Sequence, residues 1–133
     1  MVAQQLHGGF AAYLASRQAD QPIRNADGSV SLVFDGQYRI TCVGNASGGL
    51  LLEARVTELP LDANARRSLL EDLLERAGRR FERHTEWMTM TRDRQILLLQ
   101  QTVPAQADKA DFESVLERFI NALAGWRTLA GVL

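Results

Sequence analysis

The sequence predicts an α+β fold in which helices cover one face of a five-stranded antiparallel sheet, with the chain order α-β-β-β-α-β-β-α. Three successive runs within residues 29–59 alternate apolar and polar side chains, as strands with one buried face do. The segments before and after them repeat apolar residues at three- and four-residue spacing, which is typical of amphipathic helices that pack on a sheet. A length of 133 residues suits a single domain over residues 1–133.

The first three predicted strands form a meander with one shared apolar face. That face carries Val30, Leu32 and Phe34, then Tyr38, Ile40 and Cys42, then Leu50, Leu52, Ala54 and Val56. Asp35-Gly36 predicts a two-residue hairpin turn, because both positions favour positive φ, which glycine adopts freely and aspartate tolerates. Residues 45–49 predict a looser second turn.

Two of the predicted helices flank this meander. Gly8 and Gly9 weaken the start of the first helix, so it is expected to be firm from Phe10 to Gln18. The second helix spans residues 63–83. Its apolar stripe consists of Leu69, Leu70, Leu73, Leu74, Ala77 and Phe81.

A second hairpin and a third helix follow. Residues 86–91 alternate as a strand does, and the continuous apolar run at residues 96–99 predicts a central strand buried on both faces. Asp108 and Asp111 have the spacing of an acidic capping box at the start of the last helix. The apolar stripe of that helix consists of Phe112, Val115, Leu116, Phe119, Ile120, Leu123 and Trp126.

Composition and charge exclude several classes of protein. Hydrophobic residues make up 46% of the chain and charged residues 23%, which excludes disorder, and no apolar run approaches the roughly 20 residues that span a bilayer. The net charge of −1 lacks the positive field of a nucleic-acid binder. The start lacks the basic and apolar regions of a secretory signal, and a single cysteine, Cys42, fits a reducing compartment. We therefore expect a soluble cytoplasmic protein without nucleic-acid or membrane partners.

The sequence contains no motif for catalysis or for binding a cofactor or metal. His7 and His84 lack a second ligand at metal-binding spacing. Residues 44–49 resemble a phosphate loop only faintly, because no Lys-Ser or Lys-Thr follows and a strand comes next. Cys42 alternates with core positions, and no neighbouring histidine in the sequence could activate it. We expect a protein that is not an enzyme and carries no cofactor.

The strand formed by Trp87, Met88 and Met90 admits two interpretations. It can belong to an ordinary core. It can also form an interface, because Met and Trp are enriched where proteins meet and a second apolar face is hard to bury within a small domain. We favour the interface.

Several local segments, taken in order and with their spacing, resemble a known family. These are residues 10–14, residues 32–36, residues 51–54 before Leu59-Pro60, residues 97–101 before Pro104, and residues 116–119 before Trp126. Over residues 5–128 the chain resembles the class I type III secretion chaperones (CesT/SycE-like effector chaperones), small dimeric partners of effectors in Gram-negative bacteria. None of the segments is a catalytic motif.

The resemblance implies a non-enzymatic homodimer whose protomers meet through the helix at residues 63–83 and the strand after it. The interface residues it implies are Leu69, Leu70, Leu73, Leu74, Trp87, Met88 and Met90.

The resemblance also implies a partner, the N-terminal segment of a secreted effector. Such a segment is bound in extended, non-globular form around the dimer by apolar patches and an exposed strand edge, which keeps the effector soluble and secretion-competent. By position, the client-binding candidates are Phe10, Tyr13, Leu14, Val30, Leu32, Phe34, Tyr38 and Ile40. The secretion ATPase is a further partner that we consider.

Two other functions remain open from the residues themselves. A small ligand-binding or enzymatic α+β domain could use the concave face of the sheet, a hypothesis motivated by Tyr38, Arg39 and Cys42 on one strand. An adaptor domain of similar fold could bind a folded partner.

Overall fold

Within the residues that the structure describes, the chain forms a six-stranded antiparallel sheet and three helices. A computed structural model describes residues 7–16, 22–80 and 85–131. The elements are α1 (Gly8–Ser16), β1 (Ile23–Arg24), β2 (Val30–Phe34), β3 (Tyr38–Gly44), β4 (Leu50–Glu58), α2 (Ala63–Arg80), β5 (Trp87–Met90), β6 (Ile96–Val103) and α3 (Lys109–Leu129). Across the sheet the strand order is β1-β2-β3-β4-β6-β5.

The predicted fold class is confirmed, with one correction: the sheet has six strands where five were predicted. The added strand is β1, which pairs with the start of β2. Asn25 holds the turn between them, because its amide Nδ2 donates to the hydroxyls of Ser29 and Ser31, each at 2.9 Å. A two-residue strand is too short to produce an alternating pattern. The only signal in this part of the sequence is therefore the group of turn residues that follows β1.

The turns follow the backbone chemistry of their residues. Asp35 and Gly36 both have positive φ, 54° and 68°, as the predicted two-residue hairpin requires. In the hairpin between β5 and β6, Arg94 has a φ of 58°, and the Thr91 N–H donates to the Ile96 carbonyl at 3.0 Å. Both hairpins were predicted from the sequence.

One face of the sheet and the helices form the core. Its largest fully buried side chains are Phe10, Phe112, Phe119, Leu32, Ile40, Leu52, Leu73, Leu99 and Leu123. Helix α1 packs on α3, and the rings of Phe10 and Phe112 have centroids 5.3 Å apart. The predicted capping box is present: Asp108 accepts from the Asp111 N–H at 2.8 Å, and Asp111 accepts from the Asp108 N–H at 3.1 Å.

Strand β6 lies between β4 and β5, yet only one of its faces is buried. Leu97 and Leu99 are buried in the core, whereas Ile96 and Leu98 are half-buried on the opposite face. The prediction of a strand buried on both faces is therefore wrong. A continuous apolar run does not distinguish a doubly buried strand from one whose second face is only half-covered.

Helix α1 begins with a close approach to the loop before α3. The buried His7 ring accepts from the Phe10 N–H at Nδ1 (3.3 Å), and its Nε2 donates to the Pro104 carbonyl (2.5 Å). At Gly9 a Cβ would lie only 2.5 Å from the Asp108 carbonyl oxygen and 2.6 Å from that of Ala107. Only glycine allows the two backbones to come this close.

Strands β3 and β4 separate before either of them ends. Their pairing stops at Thr41 and Glu53, although β3 continues to pair with β2 as far as Tyr38. Arg127 of α3 spans the gap. It donates to the Arg55 carbonyl from Nε (3.0 Å) and Nη2 (2.8 Å), and to the carbonyl of residue 37 from Nη1 (3.0 Å).

Candidate functional site

The structure buries most of the predicted client-binding residues. Five of the eight lie in the core with at most 8% exposure, namely Phe10, Val30, Leu32, Tyr38 and Ile40. The other three, Tyr13, Leu14 and Phe34, are partly buried and pack against that core. Their shared role stays a prediction. In this conformation, only the last three side chains have surface to offer to a partner.

Tyr13 and Leu14 lie on α1, which rests on α3. The Tyr13 ring is tilted against that of Phe112, with centroids 5.1 Å apart. Tyr13 is therefore partly buried against the core and partly exposed. An aromatic ring anchored in this way loses little side-chain freedom when a partner covers its other side.

Phe34 ends β2, next to the hairpin turn. It lies opposite Tyr38 in the β2–β3 pairing, and the side chain of Phe34 therefore points to the same face of the sheet as that of the buried Tyr38. On the other side of β2 lies the short edge strand β1, whose Ile23 is 41% exposed. Within the described residues, this side of the sheet thus has a partly exposed aromatic ring at the end of β2 and a two-residue edge strand paired with the start of β2.

The predicted dimer residues on α2 differ in burial and form three groups. Leu73 is only 1% exposed and belongs to the core of a single chain. Leu69 and Leu70 are half-buried, whereas Leu74 is 67% exposed. Phe81, which the sequence placed on the same stripe, lies outside the described residues. Among these leucines, Leu74 therefore has the most apolar surface left for a partner.

Strand β5 forms one edge of the sheet. Trp87 and Met90 are each 41% exposed, and Met88 is half-buried against the core. Within the described residues β5 pairs with β6 only. The Trp87 indole N–H donates to Oε1 of Gln100 at 2.9 Å, which fixes the ring on the sheet face away from the helices. Leu74 and this edge together form the dimer candidate.

Cys42 does not form a site with Tyr38 and Arg39. Tyr38 and Cys42 are buried on the core face, while Arg39 is exposed on the other face. Burial raises the pKa of the Cys42 thiol to about 12. The arrangement that motivated a ligand-binding or enzymatic domain is therefore not assembled in this structure.

The Cys42 thiol is expected to resist alkylation in the folded protein. At pH 8 a pKa near 12, against 9.0 for a free thiol, leaves roughly a thousandfold less thiolate. Iodoacetamide labelling followed by mass spectrometry should be slow in buffer and fast in denaturant. Since unfolding frees the thiol to ionise from about pH 9, this group should also favour unfolding progressively as the pH rises towards 12. Equally rapid labelling in both conditions would contradict the burial.

The described residues contain neither a cluster of metal ligands nor a membrane-spanning helix. Residues 7–16, 22–80 and 85–131 contain no group of three or more His, Cys, Asp or Glu side chains that could hold a metal ion. Within the same ranges no helix is long and apolar enough to span a bilayer. His84, considered above as a ligand, lies outside the described residues.

Sequence reasoning did not identify the contacts of His7 or Arg127. From the sequence, Arg127 is only a basic residue in the last turn of a helix, where a positive charge interacts favourably with the helix dipole. His7 carries no sequence signal of its contact, because the Pro104 carbonyl is 97 residues away.

The fold is shared with several solved structures. The structure of the HopA1-SchA chaperone-effector complex matches with a TM-score of 0.63 and 15% identity over 92% of this chain and 91% of that one. The structure of the ExsC-ExsE complex matches with a TM-score of 0.65 and 22% identity over 94% of this chain and 90% of that one. The structure of the Yersinia pestis type III secretion chaperone SycH, in complex with a stable fragment of YscM2, matches with a TM-score of 0.64 and 13% identity. This match covers 92% of this chain and 99% of that one.

Sequence comparison identifies the family directly. No curated protein sequence matches the chain. The model of the Tir chaperone protein (CesT) family, in contrast, matches residues 14–127, which include every element from the end of α1 to the last turn of α3. The chain therefore belongs to the CesT family of chaperones, as the sequence predicted.

Proposed function

We propose that this protein is a type III secretion chaperone, which binds the N-terminal segment of an effector in non-globular form and keeps it soluble and secretion-competent. Membership of the CesT family supports the proposal. The similar structures of a chaperone-effector complex and of a secretion chaperone with a bound fragment support it as well. The protein acts by binding and not by catalysis, and it works in the bacterial cytoplasm as one domain.

The observation that carries this proposal in the chain itself is partly exposed apolar surface on α1 and β2. Tyr13, Leu14 and Phe34 are partly buried against the core, and each keeps part of its surface exposed. Apolar side chains held in this way bind the alternate side chains of an extended segment, while a strand edge supplies main-chain hydrogen bonds. The edge at β1 lies beside Phe34's strand and is only two residues long.

Tyr13→Asp is expected to weaken the complex with an effector fragment by about 2 kcal/mol or more, the scale of an interface hot spot. The new carboxylate removes the apolar ring and must lose water when the client covers it. Isothermal titration calorimetry of the purified pair measures the change. Thermal unfolding of the free protein should show a smaller loss, because part of the ring lies outside the core.

Ala12→Asp is the matched control, since Ala12 is exposed on the same helix and receives the same charge. Its affinity should stay within a factor of about three of the parent protein, the scale expected of an exposed charge. If Tyr13→Asp binds normally, the client site lies elsewhere, with the strand edge as the next candidate. If both variants bind the effector fragment equally weakly, the added charge weakens binding, and the hypothesis that Tyr13 is an apolar anchor is wrong.

We further propose that the protein is a homodimer. The support is the exposed Leu74 on α2 and the exposed Trp87 and Met90 on the edge strand β5. Stable interfaces bury about 1,600 Å² in total, and a long helix with a neighbouring strand offers surface on that scale. The secretion ATPase is a further proposed partner, for which the chain offers no separate observation.

A further inference from the structure

A groove opens on the sheet where β3 and β4 separate. It has a volume of about 380 Å³, and its lining includes Arg39, Glu53, Arg55, Ile96, Leu98 and Arg127. Arg39 and Arg55 project from the face opposite the helices, whereas the side chains that precede and follow them on each strand are buried on the core face. The groove is thus distinct from the surface of α1 and β2 described above.

Two like charges lie at the point where the strands part. Continuing the β3–β4 register beyond Thr41 and Glu53 would place Arg39 directly opposite Arg55, on one face of the sheet. Such a cross-strand pair of equal charges is destabilising. The Arg55 carbonyl is instead satisfied by the Arg127 guanidinium, which adds a third positive charge to the groove.

These three arginines have little acidic compensation within the described residues. Arg39 donates to the neutral amide of Asn25 at 3.3 Å, and Arg127 donates to main-chain carbonyls. Arg55 pairs with Glu58 at 3.4 Å, but the two side chains are 58% and 81% exposed, so the pair is weak. Burial lowers the pKa of the Arg127 guanidinium, the electrostatic interaction with Tyr38 opposes this shift, and the positive charge of Arg55 lowers the pKa further.

Among the described residues that line the groove, Glu53 is the one carboxylate, and a neutral side chain holds it. Oε2 of Glu53 accepts from Nε2 of Gln100 at 2.6 Å. Oε1 of Gln100 in turn accepts from the Trp87 indole at 2.9 Å. This hydrogen-bonded chain across β4, β6 and β5 holds Glu53 towards neutral partners and leaves the opposite wall of the groove positive.

We propose that this groove binds an extended acidic segment of a partner protein. A carboxylate of the segment lies between Arg39 and Arg55, and a neighbouring apolar side chain packs on the half-buried Ile96 and Leu98. Charge complementarity favours an acidic occupant. The groove is lined by three arginines and by one carboxylate, Glu53, which is hydrogen-bonded to Gln100, although the net charge of the whole chain is −1. The proposal does not rest on the proposed chaperone function.

The test is fluorescence anisotropy with a labelled ten-residue peptide of alternating Glu and Leu, compared with its Gln/Leu counterpart. The Glu peptide should bind about tenfold more tightly, the value of one charge-assisted contact. Arg39→Gln should remove about that tenfold preference. Glu53→Gln should strengthen binding, since it deletes the opposing charge and its amide oxygen can still accept from Gln100. Arg67→Gln, an exposed arginine on α2, should change nothing.

Each other outcome overturns the proposal. Equal binding of the two peptides shows an apolar contact only. Displacement of the Glu peptide by millimolar inorganic phosphate or by an oligonucleotide of equal charge shows a general anion site. A changed molecular mass of Arg39→Gln by light scattering shows that a second copy of the chain occupies the groove. Should Arg39→Gln fail to fold by circular dichroism, Arg55→Gln is the substitute, because its side chain is 58% exposed, and an unchanged affinity then refutes the site.

Discussion

Gly9→Ala is expected to lower the free energy of unfolding by at least about 2 kcal/mol, a loss of the kind produced by overpacking a tight contact. The added methyl carbon would lie 2.5 Å from the Asp108 carbonyl oxygen and 2.6 Å from that of Ala107. Both obstacles are backbone atoms, so no side chain can rotate away. Helix α1 would have to lift from the loop before α3, which would also break the His7 contact with Pro104.

Gly8→Ala supplies the control, because a Cβ at Gly8 meets no atom within 4 Å. Alanine is a better helix former than glycine, so this variant should keep or gain up to about 0.5 kcal/mol. Urea unfolding of the two variants at one protein concentration measures the difference. Equal stabilities would show that the chain relaxes around Gly9 without cost, and the close approach would then have no structural importance.

The same glycine pair shows where sequence reasoning reached its limit. Considered as helix residues, Gly8 and Gly9 weaken α1, and that expectation treats them alike. The structure separates them, because Gly9 faces a backbone that is almost a hundred residues away in the sequence. Helix propensity is a local property and contains no information about such a partner.

Long periodic patterns predicted the fold well, and short or interrupted ones did not. The alternation along β2, β3 and β4 and the apolar stripe of α3 correspond to observed elements. β1 was missed because two residues have no period. The parting of β3 from β4 was missed because the alternation of Tyr38, Ile40 and Cys42 continues past the point where the pairing stops. The alternation of apolar and polar residues predicts which face of the sheet a side chain occupies, but it does not predict which residue of the neighbouring strand it pairs with.

Candidate sites were harder to predict than the elements, for a related reason. Alternation placed Val30, Leu32, Tyr38 and Ile40 on the apolar face of the meander, and the structure confirms that position by burying them. An apolar face becomes core where helices cover it, and the sequence does not mark where the cover ends. The accessible part at Tyr13, Leu14 and Phe34 could be recognised only from the packing of α1 on α3.

Leu74→Asp is expected to dissociate the proposed dimer. The same substitution at the adjacent residue of α2, Leu73→Asp, is expected to prevent folding. Leu73 is 1% exposed and Leu74 is 67% exposed. A carboxylate at Leu73 would be buried without a partner, at a cost of several kcal/mol, which approaches the whole stability of a small domain. At Leu74 the carboxylate is solvated in the free chain and loses water only when a second protomer covers it.

Light scattering and analytical ultracentrifugation should show the dissociation constant of Leu74→Asp raised by about a hundredfold or more, equivalent to a hot-spot loss of about 3 kcal/mol. Its circular dichroism spectrum should match that of the parent protein. Val43→Asp, at a 37% exposed position on β3, introduces the same charge far along the sheet from β5 and should leave the mass unchanged. If Leu74→Asp instead remains a dimer of parent affinity, α2 is not the interface, and the exposed Trp87 and Met90 of β5 would then have to form it without the helix.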